Sequence, residues 1–97
     1  MEVNALKMKI TIAPNVIFQE VQLGESLLLD VKTLKYFAFD TMGTRFWKAI
    51  EECGEADRAL QAAATAVGRS AADLQPNFYA ILSGLERSGL ITLEKST

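Results

Sequence analysis

One stretch decides the fold of this chain: KYFAFDTMGTRFW, residues 35–47. Its first five residues are typical of a short apolar strand, and Asp40 is a good N-cap for the helix that follows. If this strand lies at a sheet edge, its free N–H and C=O groups offer a template for the backbone of another chain. The stretch therefore predicts a strand-to-helix unit and favours a role in peptide capture.

Extended segments are also predicted before this stretch. Residues 8–12 alternate between apolar and polar side chains, which is the period of a half-buried strand. Residues 16–21 and 26–31 form a hairpin around the turn Leu23-Gly24-Glu25, where the glycine is free to adopt a positive φ. The connection from this hairpin to the next strand lacks Gly and Asn, so we expect a longer turn there.

Three helices are predicted after the strands. Each has an apolar face at helical spacing, and a glycine follows each of them. Pro76 lies inside the third helix, where it removes one backbone hydrogen bond, so we expect a kink or a new start near Gln75. The three segments run from Asp40 to Gly54, from Glu55 to Gly68 and from Ser70 to Gly89.

The order of these elements predicts the fold class. Three antiparallel strands followed by three helices form a small α+β domain, in which the sheet packs against a helical layer. The topology resembles a winged helix-turn-helix, and Leu90, Ile91 and Leu93 add a last strand-like segment. Ninety-seven residues are enough for one core and too few for two lobes around a cleft, so we predict a single domain, residues 1–97.

Few residues in the chain are suited to chemistry. There is no histidine and a single cysteine, Cys53, so we expect no disulfide, no metal site and no activated thiol. Catalytic residues, cofactors and enzymatic activity are therefore not expected. The first residues lack a secretory hydrophobic stretch, and no apolar run is long enough to span a membrane, so the sequence predicts a cytoplasmic protein without a membrane partner.

Charge argues against a nucleic-acid partner. The net charge is −2 and the ten basic residues are scattered, whereas binding to a duplex needs several phosphate contacts. A winged-helix DNA-binding regulator stays the main alternative because the order of the helices permits it. Its recognition helix would be residues 71–88, where Arg87 is the one cation against Asp73 and Glu86.

Four short pieces follow one another in the chain: LLLDV at 27–31, KYFAFD at 35–40, Gly43 with Trp47, and LSGLERSGL at 82–90. In this order they resemble the PqqD-like family, named for the peptide chaperone of pyrroloquinoline quinone biosynthesis. The resemblance covers most of the chain, from about Ala13 to Leu93. Members of the family are the precursor-recognition domains of ribosomally made, post-translationally modified peptides (RiPP recognition elements).

The resemblance implies a domain that holds the leader of a precursor peptide while separate enzymes process the rest. In the family, the leader is added as a strand beside the third strand, and its apolar side chains enter a groove formed with the last helix. Stand-alone members of lasso-peptide clusters are most similar, and their partner is a cysteine protease that removes the leader. By matching position, the implied peptide-binding residues are Lys35, Tyr36, Phe37, Ala38, Phe39, Phe78, Ile81, Leu82 and Leu85.

Three positions depart from the family pattern. The family usually has Asn at the position of Asp40, often Gly at that of Leu34, and usually Leu at that of Phe39. Asp caps a helix as Asn does, so the first change has little effect. Leu34 bears on the geometry of the turn, and Phe39 on the shape of the core or the groove.

Several alternatives stay open at this level. A PqqD-like chaperone that serves a radical enzyme, and a module that dimerises through its own edge strand, use the same residues. Residues 36 and 38 point opposite to residues 37 and 39, so either pair is available to a ligand. The precursor, the enzyme that receives it and the oligomeric state are also open.

Overall fold

The computed structural model describes residues 8–22 and 24–95 of the chain. The predicted α+β class, with three helices after a three-stranded antiparallel sheet, is confirmed. Of the predicted hairpin turn, Leu23 lies outside the described residues, and Gly24 has a φ of 81°. The elements are β1 (Met8–Ile12), β2 (Val16–Gln22), β3 (Glu25–Asp30), β4 (Lys35–Phe39), α1 (Thr41–Cys53), α2 (Ala56–Val67), α3 (Ala71–Arg87) and β5 (Ile91–Lys95).

The three-stranded sheet has the order β2-β3-β4, so β2 and β4 are its edge strands in the described part of the chain. In the register of the sheet, Leu28 of β3 lies opposite Phe18 of β2 and Phe37 of β4. Ser26, Leu28 and Asp30 are buried, whereas the residues between them are half-buried. One face of the sheet therefore packs against the helices, and the other face is uncovered in this structure.

A second, two-stranded sheet joins β1 to β5 in antiparallel register, with Ile10 opposite Leu93 and Ile12 opposite Ile91. The backbone N–H of Ile10 also donates to the carbonyl oxygen of Gly54, at 2.9 Å, which ties β1 to the end of α1. The sequence predicts both segments as extended, but not that they pair. Their alternation gives the strand period and carries no information on a partner at the opposite end of the chain.

α1 connects the sheet to the helical layer. Its N-cap is Asp40, as predicted, and the Asp40 Oδ1 atom accepts a hydrogen bond from the N–H of Gly43 at 2.8 Å. The buried ring of Trp47 lies 6.3 Å from the rings of both Phe18 and Phe39. Since these two phenylalanines belong to β2 and β4, the tryptophan holds both edge strands against the helix.

α3 is one continuous helix, and no new helix begins near Gln75 as the sequence had suggested. Pro76 is exposed, and the backbone carbonyl that loses its donor belongs to Ala72, which is also exposed. Water can therefore satisfy that carbonyl, which explains why the helix continues. The core face of α3 is formed by Leu74, Phe78, Leu82 and Leu85, all of them buried.

Candidate functional site

A cavity of about 400 Å³ lies between the edge strand β4 and the helix α3, and we call it the β4–α3 groove. Its wall is mostly apolar, and Asp40 is the one charged residue among those that line it in the described part of the chain. Pockets with a mostly apolar lining and few polar groups are typical of binding sites. The lining residues are Phe37, Ala38, Phe39, Asp40, Gly43, Ala80, Ile81, Gly84 and Leu85.

On the strand side of the groove, Phe37 and Phe39 are half-buried and lie on the face of β4 that packs toward the helices. Tyr36 points to the opposite face and is 67% exposed. Ala38 is exposed and also lines the groove. The sequence left open which face of β4 lines the groove. The groove is lined by the face that carries Phe37 and Phe39, and by Ala38 at the edge of the strand.

On the helix side, the structure places the expected residues in two different environments. Ile81 and Leu85 line the groove, whereas Phe78 and Leu82 are buried in the core and do not line it. The space on this side comes from small residues that the sequence analysis missed, among them Gly84. A Cβ atom built on Gly84 meets no atom within 4 Å, which means that open space lies above the helix there.

At the junction of β4 and α1, a glycine allows the helix to approach the strand. A Cβ atom on Gly43 would lie 2.9 Å from the Cδ1 atom of Phe39, closer than real contacts allow. Gly43 is therefore required by this close approach. Phe39 and Gly43 both form part of the groove wall. The glycine on which the family resemblance rested thus has a physical reason in the fold.

The groove is flanked by more polar cavities at both ends of β4. Near Asp40 there is a cavity of about 340 Å³ that is also lined by Asn77. Near the start of β4 there is a cavity of about 260 Å³ whose lining includes Lys35 and Arg87. Phe37 lines both this second cavity and the groove. The apolar centre of the groove therefore has the acidic Asp40 at one end, and two basic residues together with Asp30 at the other.

The turn that leads into β4 is organised by Asp30. The Asp30 Oδ1 atom accepts hydrogen bonds from Asn15 Nδ2 at 2.6 Å, from the N–H of Lys32 at 2.9 Å and from the N–H of Thr33 at 3.4 Å. The hydrogen bond from Asn15, followed by that from the Lys32 backbone, lowers the pKa of Asp30 below its ordinary value. Leu34 completes the turn with a φ of 64°. The longer turn expected from the sequence is thus observed.

A second apolar cavity, of about 490 Å³, lies over the uncovered face of the three-stranded sheet. It is lined by Ile17, Gln19, Leu27, Leu29 and Tyr36. This surface is separated from the groove by β4 itself, because Tyr36 points away from the phenylalanine face. The sheet therefore presents apolar side chains on both faces.

The described residues 8–22 and 24–95 contain no group of three or more His, Cys, Asp or Glu that could hold a metal ion. The same part of the chain has no helix that is both long and apolar enough to cross a membrane. Cys53 is a free, half-buried thiol at the end of α1 and does not line the groove. What the site offers is an apolar wall and a strand edge that no other strand of the described residues pairs with, which are features suited to binding an extended peptide.

Comparison of the sequence with known families agrees with this geometry. Residues 25–91 match the family described as "Coenzyme PQQ synthesis protein D (PqqD)". This match covers more than half of the chain, and the chain belongs to the PqqD family. The matched residues include β3, β4 and all three helices, and thus both walls of the β4–α3 groove. No curated protein matches the chain.

The fold is also similar to that of a solved structure, "TbiB1 in Complex with the TbiA(beta) Leader Peptide". The two structures superpose with a TM-score of 0.73, and the match covers 84% of this chain and 93% of that chain. Sequence identity between them is 22%. At this level of identity, the likeness shows a shared fold.

Proposed function

We propose that this protein binds the leader segment of a ribosomally made precursor peptide and delivers it to a separate processing enzyme. The leader pairs as an added strand with the free edge of β4, and its apolar side chains enter the β4–α3 groove. One observation carries the proposal: in a chain of the PqqD family, a strand that is at the sheet edge within residues 8–22 and 24–95 lies beside an apolar groove of about 400 Å³. The likeness to TbiB1, which binds a leader peptide, supports it.

The energies involved are sufficient for a useful affinity. Each backbone hydrogen bond to β4 contributes about 0.5 to 1.5 kcal/mol, and each buried apolar anchor contributes about 1.5 to 3 kcal/mol. Ordering of a disordered leader costs about 2 to 5 kcal/mol or more. A few hydrogen bonds and two or three anchors therefore give micromolar to nanomolar binding, in which the backbone sets the register and the groove selects the side chains.

For the receiving enzyme, we favour a leader protease of the lasso-peptide type. This choice rests on the resemblance of the sequence to the stand-alone members of such clusters. The family description, which names coenzyme PQQ synthesis, favours a second candidate, a peptide chaperone for a pathway with a radical enzyme. Co-expression with the enzymes encoded beside this chain distinguishes the two, because a leader protease and a radical enzyme leave different products on the same precursor.

Selection from a displayed library of short random peptides tests the binding function directly. With the full chain as bait, we expect peptides with two apolar residues two positions apart, because side chains on one face of a strand alternate. If no peptide is enriched over an unrelated bait, the proposal is wrong. The selected peptides then serve as defined ligands for all later measurements.

N-methylation of a selected peptide tests strand addition without changing the protein. In a strand, the N–H groups of alternate residues point to opposite sides, so only one alternate set faces β4. We expect methylation of that set to abolish binding and methylation of the other set to leave it nearly unchanged. Equal effects of the two sets would rule out a β-strand on β4 as the binding mode.

The same edge strand is also available to a second copy of this chain, which is the remaining alternative. Sedimentation of the protein with and without a selected peptide separates the two uses of the edge. We expect the peptide to bind to a monomer or to dissociate a dimer. A dimer that persists at saturating peptide shows that the peptide does not use this edge.

A further inference from the structure

The two ends of the β4–α3 groove differ in charge, and this difference bears on which peptides fit. At the start of β4, Lys35 is the first residue of the strand, and Arg87 is the last residue of α3. Both side chains are exposed, and both line the cavity of about 260 Å³ that adjoins the groove through Phe37. The strand and the helix thus each bring one cation to the same end of the site.

Within the described residues, neither Lys35 nor Arg87 forms an ion pair, although Asp30 lies opposite Lys35 in the register of the sheet. The ion pairs found there involve other cations: Lys48 with Glu20, Arg58 with Glu55, and Arg69 with Asp73. All three lie outside the groove. The end of the groove near Lys35 therefore has positive charge available for a ligand.

One carboxylate, that of Asp30, is among the residues that line this end. Asp30 is buried, and its Oδ1 atom already accepts hydrogen bonds from Asn15 and from the backbone of the turn. Its charge is thus engaged by the protein, whereas the two cations are exposed. With one negative and two positive groups, this end carries a net positive charge.

The register of β4 relates this charge to the apolar part of the groove. Lys35, Phe37 and Phe39 occupy alternate positions and so lie on the same face of the strand. A strand added to β4 presents its own alternate side chains on that face. One such side chain lies level with Lys35, and the next two lie level with Phe37 and Phe39.

We propose that the groove selects an acidic residue in the bound peptide, two and four positions away from its two apolar anchors. The carboxylate lies between Lys35 and Arg87, and the anchors lie against Phe37, Phe39 and the α3 wall. This inference rests on the proposed function, since it assumes that an extended peptide pairs with β4. The position of the acid also reports strand direction: it follows the anchors in an antiparallel peptide and precedes them in a parallel one.

The test repeats the random-peptide selection on two charge-reversal variants of the full chain. Lys35→Glu/Arg87→Glu reverses the cations at the groove, and Arg45→Glu/Lys95→Glu is a control that reverses one exposed arginine and one exposed lysine elsewhere. Each pair changes the net charge by −4, from −2 to −6. We expect wild type and control to enrich Asp or Glu at one fixed distance from the apolar pair. For the groove variant, we expect Lys or Arg at the same position.

Three results would overturn this inference or its basis. An apolar pair without any preference at the charged position would refute the acidic residue and leave the proposed function intact. An acidic preference that survives in Lys35→Glu/Arg87→Glu would place the responsible cations elsewhere. The absence of an apolar pair from every selection would refute the proposed function itself.

A direct titration then measures the size of the effect. We expect a Glu→Gln change in a selected peptide to weaken binding to the wild type about three- to tenfold, as exposed ion pairs with two cations do. The same change should have no effect on binding to Lys35→Gln/Arg87→Gln, and rising salt should remove the difference in the wild type. An equal loss of affinity for the wild type and for Lys35→Gln/Arg87→Gln would show that the peptide carboxylate does not contact these two cations.

Discussion

The two edges of the three-stranded sheet, β2 and β4, are built differently. β2 has a register shift between Glu20 and Gln22, and Glu20 forms an ion pair with Lys48 at 2.9 Å. β4 pairs with β3 without any shift and lies beside an apolar groove. Bulges and charged side chains are means by which proteins protect a sheet edge from further pairing. Within the described residues, β2 therefore has a protective irregularity that β4 lacks.

The largest loss of peptide affinity is expected when the space beside β4 is filled. Gly84→Leu adds a side chain where a Cβ meets no atom within 4 Å, so α3 can accept it. We expect peptide affinity to fall about ten- to hundredfold, the equivalent of one displaced apolar anchor. Titration calorimetry with a selected peptide measures the loss. Ser83→Leu, at an exposed position next to Gly84, is the control, and unchanged binding by Gly84→Leu would show that the groove is not used.

A smaller loss of peptide affinity is expected when a proline is placed in the edge strand β4, and almost none when it is placed in β2. Ala38 of β4 lies opposite Leu27, and Glu20 of β2 lies opposite Ser26. Because the N–H of Val31 donates to Asn15, the backbone groups of Leu27 face β2 and those of Ser26 face β4. Ala38→Pro and Glu20→Pro therefore each remove an N–H donor that points outward from the sheet. We expect Ala38→Pro to weaken peptide binding about tenfold, and Glu20→Pro to leave it nearly unchanged. Circular dichroism checks that both variants fold. Equal effects would show that the edges do not differ in function.

Low pH should weaken the hydrogen bonds of Asp30, which connect the segments that precede both edge strands. Asp30 binds Asn15, just before β2, and the backbone of the turn before β4. Its pKa is lowered in the folded protein, so the unfolded chain takes up the proton more readily. The stability that Asp30 contributes is therefore present above its ordinary pKa of 3.8 and is lost as the pH falls below that value.

Chemical denaturation across this pH range checks the prediction against Asp30→Asn. We expect the variant to be less stable than the wild type at neutral pH. The difference should shrink as the pH falls below 4. A constant difference between the two proteins would show that the Asp30 charge does not stabilise the turn.

The smallest expected effect is on the free energy of unfolding, and it comes from the turn between β3 and β4. Leu34 has a φ of 64° and is 74% exposed, so its side chain contributes little packing while its backbone is in the left-handed region. We expect Leu34→Gly to change the free energy of unfolding by no more than about 1 kcal/mol, in the stabilising direction. Leu34→Ala removes most of the side chain and keeps the strain, so it should give no gain. A loss of stability in Leu34→Gly would show that the backbone of Leu34 is not strained.

Local features of the fold were predictable because each depends on residues that are close together in the chain. The Asp40 cap, the hairpin and the three helices are signalled by cap residues, glycines and periodicity. The new helix start that Pro76 suggested is not observed, because the cost of the proline depends on whether water reaches the freed carbonyl of Ala72. That exposure follows from packing, which the sequence pattern does not contain.

The groove was predicted in part. The family resemblance implied Phe78, Ile81, Leu82 and Leu85 as groove residues, whereas their helical spacing alone is typical of a core face. Packing buries Phe78 and Leu82 away from the groove, and Ile81 and Leu85 line it. Gly84 was missed because a small residue on a helix has the same sequence signal wherever it faces. Its role follows only when a strand edge is placed beside it.

Composition, caps and periodicity in this chain were enough to define its elements, its α+β class and the strand Lys35–Phe39 as a candidate for pairing. Only the packed structure decided that β4 lies at the edge, that β1 pairs with β5, and that Lys35 and Arg87 meet at one end of a groove. The reason is physical. Short-range signals act through neighbouring backbone groups, whereas an edge, a cavity or a charged end exists only after segments distant in the chain have come together.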